Sequence, residues 1–134
     1  MSQVFRVNEV NSNFVFLFPF ISGLLTGHLM YTFFALCIFV TSLYYHARKY
    51  KNPSSVSVRY LRVLDIFVAI ICYGYMFFFV KNILIQGQLY FYIALVLTIF
   101  IFLSSKTLYR NSFALHSYFH IAIGVVAGVI PLFS

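Results

Sequence analysis

The stretch FVFLFPFISGLLTGHLMYTFFALCIFVTSLYY, from Phe14 to Tyr45, contains no Asp, Glu, Lys or Arg. About 20 apolar residues of helix are enough to cross the hydrocarbon of a bilayer. The stretch is therefore too long for one ordinary crossing, and Thr26-Gly27-His28 is its natural break. This gives a first helix over about 12–26 and a second over about 28–47. The first is short, and Pro19 inside it is a candidate kink.

The same pattern repeats outward from this stretch. Arg48-Lys49-Tyr50-Lys51-Asn52-Pro53-Ser54-Ser55 is a polar turn segment marked by Asn-Pro and the serines. A third helix follows over about 58–80, and Lys81 with Gln86-Gly87-Gln88 separates it from a fourth over about 89–105. Lys106 to Arg110 lead into a fifth over about 111–131, with Pro131 at its end. Residues 1–134 thus read as one all-α integral-membrane domain, a polytopic transmembrane bundle of about five helices.

Composition agrees. The 134 residues are 63% hydrophobic, 22% aromatic and only 8% charged, with a mean hydropathy of +0.95. An ordinary soluble domain carries roughly 25% charged residues, so the natural solvent here is lipid. Disorder, collagen and a disulfide scaffold are excluded on the same ground. The net charge of +7 invites a nucleic-acid reading, but the basic residues lie in short gaps between apolar runs, as in the loops of a membrane protein. With the N-terminus in the cytoplasm, Arg6, Arg48, Lys49, Lys51, Arg59, Arg62, Lys106 and Arg110 fall on the cytoplasmic side and Lys81 alone falls opposite. That is a positive-inside pattern, and it puts the C-terminus outside or in a lumen. Cys37 and Cys72 lie mid-run and read as small buried hydrophobes. The first residues lack the basic n-region and small-residue cleavage site of a signal peptide. There is no Gly-rich phosphate loop and no CxxC, hence no sign of a nucleotide cofactor or redox centre.

In lipid the informative residues are polar ones inside apolar runs, because a charge at mid-membrane costs about 2.5–3.5 kcal/mol on insertion scales. The candidates are Ser42, His46, Asp65, His116 and His120. Ser42 and His46 are four apart and share a helix face, and so do His116 and His120. His46 ends the second helix, Asp65 opens the third and the histidine pair opens the fifth, so all lie at one membrane depth. Three neutral histidines plus a water form the ligand set of a catalytic zinc centre, in which hydroxide becomes available near neutral pH. A carboxylate beside it can take and return a proton, and a serine hydroxyl can donate to an oxyanion. Blander readings stand beside this one. Asp65 can pair with Arg62 one turn earlier, His46 can be an interfacial residue, and His116 with His120 can be interhelical hydrogen-bonding glue. His28, on the far side of the membrane, reads as a turn residue, and Tyr44, Tyr45, Tyr60 and Tyr109 as an interfacial aromatic belt.

The ordered set Ser42-x-x-x-His46, Asp65, His116-x-x-x-His120 resembles the CREST superfamily of alkaline ceramidases, PAQR receptors with hemolysin III proteins, GPI-anchor lipid remodelling hydrolases and myomaker-like proteins. The Ser-x-x-Tyr-His form at 42–46, the step from His46 to Asp65 and the Asn11-Ser12-Asn13-Phe14 start are similar to that group. Asp65 is followed by Ile66 rather than by the His of hemolysin III and PAQR members, which favours the ceramidase or myomaker side. The resemblance implies a zinc site with His46, His116 and His120 as ligands, Asp65 orienting or deprotonating water, and Ser42 supporting the oxyanion. It implies hydrolysis of a lipid amide or ester at the cytoplasmic leaflet. For a myomaker-like member it implies instead a structural zinc in a protein that remodels membranes. Family members usually have seven helices. Five keep the parity that leaves the ligands on one side, and self-association into a homo-oligomer would replace the missing wall. A small membrane-interaction or channel-like protein without metal is the third reading.

Overall fold

Gly27 and Gly87 adopt φ of +76° and +75°, a region closed to most side chains, and at both places the chain reverses between apolar helices. In the computed structural model, which describes residues 8–107 and 113–134, the turns divide the chain into five helical rods and leave no strand among the described residues. The first rod is made of α1 (Glu9–Ser12), a 3-10 turn (Asn13–Phe16) and α2 (Leu17–Leu25). The others are α3 (Leu29–Lys51), α4 (Val56–Asn82), α5 (Gln88–Thr107) and α6 (Phe113–Val129), which ends in a 3-10 turn (Ile130–Phe133). Four of the rods are long and apolar enough to cross a membrane, and the first is a shorter apolar helix. The chain is an all-helical, multi-pass membrane protein in architecture.

Local chemistry sets the ends. Asn8 caps α1, its Oδ1 accepting from the backbone N–H of Val10 and Asn11 at 3.0 and 2.8 Å. Ser55 caps α4 through the N–H of Val58 at 3.3 Å. The polar segment expected from Arg48 onward is shorter than its composition implied: α3 continues through Lys51 and stops at Asn52, which Pro53 pushes to φ −150°, ψ 82°. Pro19 falls in the first turn of α2, just after the 3-10 turn, where its missing N–H leaves no carbonyl unserved. The start expected at 111 for the last helix, together with Arg6, Tyr109 and Arg110, lies outside the described residues.

The rods form a ring. The first packs between α3 and α6, α4 lies against α3, α5 lies against α6, and the α4–α5 hairpin closes the circle. That hairpin is pinned near its turn by a stacked Phe77–Tyr92 pair and midway along by a Tyr73–Thr98 hydroxyl contact at 2.9 Å. Outward faces carry large apolar side chains such as Phe67, Ile70 and Phe100, each at least 60% exposed. Such faces suit acyl chains, not water.

The core lies at one end of the ring. Phe79, Val80, Leu84, Leu95 and Ile130 are fully or almost fully buried there, and the Tyr31 hydroxyl donates to the carbonyl of Ala127 at 2.6 Å. Small residues let backbones approach closely in membrane bundles. Gly124 and Gly128 of α6 do so here, lying directly against the side chains of Val15 and Phe18.

Gly128→Ala should therefore lower stability in detergent by about 1–3 kcal/mol, the usual cost of overpacking. Gly74→Ala, where a new methyl meets nothing within 4 Å, should be neutral or gain up to about 1 kcal/mol of helix propensity. Unfolding of both variants in mixed micelles measures the contrast.

Candidate metal centre

At the end of the ring opposite that core, α3 and α6 present their histidines to each other. One ring nitrogen from each of His46, His116 and His120 lies within 4.8 Å of the others. The ring centroids are 5.3 Å apart for His46–His116, 5.1 Å for His46–His120 and 4.6 Å for His116–His120. The i, i+4 spacing places His116 and His120 on one face of α6. His46 meets them from α3, five residues before that helix ends. All three are buried, so His46 is not an interfacial residue facing solvent.

The cluster divides two spaces. On its inner side is an apolar cavity of about 320 Å³, walled by residues such as Phe16, Ile38, Met76 and Ile123, with His116 and His120 in its lining. Ser42, which is buried, and Asp65, which is partly buried, line the same cavity. Four of the five residues singled out from the sequence thus share one chamber, and the fifth, His46, packs on the other two imidazoles from behind. On the outer side is a pocket of about 340 Å³ at the α3–α4 turn, lined by Asn8, Glu9, His46, Lys49 and Tyr50 among others. Phe16, Phe102 and Phe119 stand against the histidines and keep the surroundings dry. His28 lies at the far end, where Nε2 and the Ser134 hydroxyl are 2.6 Å apart and the ring meets Phe79 edge-on.

Two site residues were not anticipated. Glu9 Oε2 lies 3.1 Å from His46 Nδ1 and accepts from Lys49 Nζ at 2.9 Å. Ser12 Oγ lies 2.9 Å from His120 Nδ1. Burial raises the Glu9 carboxyl, but the hydrogen bonds from His46 and Lys49 and the ammonium beside it outweigh that and hold the group below the usual carboxylate range. Glu9 precedes the apolar part of its rod and is ionised at neutral pH. A signal for it was present, since Glu9 and Asp65 are the chain's two acidic residues.

The residues present fit a metal ion of the zinc type. The donor set is three imidazoles. Among the described residues His46 Nε2 is buried without a hydrogen-bond partner, an orphaned nitrogen that a cation would satisfy. The Nδ1 atoms of His46 and His120 face oxygens outside the donor set, the usual arrangement around a bound metal.

Comparison with protein-family models, curated proteins and solved structures gives no match. The cavity itself has a direct check. Ala35 is buried in its wall, and Ala35→Leu should stabilise the protein by about 0.5–2 kcal/mol, as cavity-filling changes commonly do. A loss as large as that of Gly128→Ala, under the same unfolding conditions, would mean the space is not there.

Proposed function

We propose that the chain is a reduced member of the CREST superfamily and a zinc-dependent membrane hydrolase that cleaves a lipid amide or ester. The observation that carries this reading is the meeting of His46, His116 and His120 at the edge of an apolar cavity that Ser42 and Asp65 also line. Zinc held by the three imidazoles would supply Lewis acidity at neutral pH beside an apolar cavity. The chamber accepts an acyl chain, and at about 320 Å³ it falls at the lower end of the usual range for small-molecule pockets. Asp65 takes the proton of the attacking water and returns it to the leaving nitrogen or oxygen, so its carboxylate is regenerated each cycle. The Ser42 hydroxyl donates to the carbonyl oxygen as charge gathers there.

Charge orients the bundle. Arg48, Lys49 and Lys51 end α3 and Arg59 and Arg62 open α4, at the histidine end, while Lys81 lies at the opposite end. The positive-inside rule then puts the centre at the cytoplasmic leaflet, with the N-terminus in the cytoplasm and the C-terminus outside or lumenal.

Purified protein should carry about one zinc ion per chain, and His46→Ala, His116→Ala or His120→Ala should each lose it. Asp65→Asn should keep zinc and fold but hydrolyse fluorescent ceramide or ester analogues about 10²–10⁴-fold more slowly. Turnover by that variant at the parent rate would remove the proton-transfer role from Asp65, and a zinc-free parent would end the whole reading. A zinc-loaded parent inert toward both analogues would leave the metal holding α3 to α6, the myomaker-like alternative.

A further inference from the structure

The four-residue helix α1 touches two of the three imidazoles, and in both cases it touches Nδ1. A carboxylate oxygen has lone pairs and no proton. The 3.1 Å contact between Glu9 Oε2 and His46 Nδ1 therefore requires the imidazole to donate. The Ser12 hydroxyl also reaches the carbonyl of Glu9 at 3.2 Å, and with its proton donated there the Ser12 oxygen is the acceptor for His120 Nδ1 at 2.9 Å. A neutral imidazole protonated at Nδ1 keeps its lone pair on Nε2. In His46 that atom is buried and meets no hydrogen-bond partner among the described residues.

The backbone supports the same idea. The segment Glu9–Phe16 packs against both α3 and α6, the two helices that carry the histidines. Lys49, one turn beyond His46 on α3, donates to the Glu9 oxygen that His46 uses. One carboxylate thus joins a ring from α3 and an ammonium from α3 to the helix that also holds His120.

We propose that Glu9 and Ser12 are positioning residues, which set His46 and His120 as Nε2 donors before any cation arrives, with Lys49 holding the Glu9 carboxylate in place. The inference rests on the zinc reading for what the rings bind. It goes further in assigning control of affinity to residues outside the ligand set. Outer partners of metal-bound histidines typically govern affinity by about 10–100-fold.

The test uses the full chain in detergent, labelled with ¹⁵N-histidine and stripped of metal at pH 8. His46 and His120 should both show the Nδ1–H tautomer, assigned through His46→Gln and His120→Gln. Glu9→Ala should release the tautomer of His46 alone, and Ser12→Ala that of His120 alone. In competition with a chelator, each variant should hold zinc about 10–100-fold more weakly than the parent. Glu9→Gln, whose amide oxygen still accepts from Nδ1, should stay closer to the parent than Glu9→Ala in both measurements. An Nε2–H tautomer on His46 in the metal-free parent overturns the proposal, and so does Glu9→Ala or Ser12→Ala binding zinc as tightly as the parent. Should Glu9→Ala fail to fold, Ser12→Ala, which deletes one hydroxyl, carries the comparison through His120. A parent that takes up no zinc ends the reading of the centre. The tautomers then decide alone whether α1 fixes the rings.

Discussion

An imidazole buried in a membrane protein has two nitrogens to satisfy and no bulk water to help. Three such rings in one place are an expensive arrangement, because each unmet polar atom in a dry interior costs roughly 1–3 kcal/mol. Much of the histidine end of this molecule answers that demand. Glu9 and Ser12 take one nitrogen each from His46 and His120. Aromatic rings from the first rod, α5 and α6 shield the cluster. Among the described residues the remaining nitrogen of His46 meets no hydrogen-bond partner, which leaves its cost unanswered within that part of the bundle.

The bundle divides its labour along its length. One end is filled, with Phe79, Val80 and Leu95 at zero exposure and a tyrosine hydroxyl bonded to a helix carbonyl. The other end holds the histidines, and the cavity runs from them back as far as Tyr31 and Ala127. Association of membrane helices gains little from hydrophobicity, since lipid is as apolar as leucine. Close packing must hold the ring together, and the approach of the first rod to α6 over Gly124 and Gly128 is where it does so most directly. The polar residues of the candidate site gather at the end opposite the buried core.

Most of the fold was legible in the sequence because membrane solvation writes it in long runs. A glycine at 27, an Asn-Pro at 52–53 and a Gln-Gly-Gln at 86–88 broke those runs where the chain turns. The end of α3 was misplaced because composition cannot tell a charged loop from a charged last turn of helix. Lys49 belongs to the helix, and there it reaches Glu9. The i, i+4 spacing exposed the pairing of His116 with His120, and membrane depth placed His46, Ser42 and Asp65 near them. Glu9 and Ser12 stayed hidden for a different reason. Their partners are 37 and 108 residues away, and no local period reports contacts of that range. Glu9 also precedes the apolar run, where an acidic residue is unremarkable in sequence.

The placement of the histidines explains how so small a bundle can gather them. Two of the three lie on one helix, so their mutual distance is fixed by helix geometry alone. The remaining freedom is the position of α3 relative to α6, and the segment Glu9–Phe16 packs on both. The whole first rod, Glu9–Leu25, lies between α3 and α6, and its Glu9–Phe16 half does so beside the histidines.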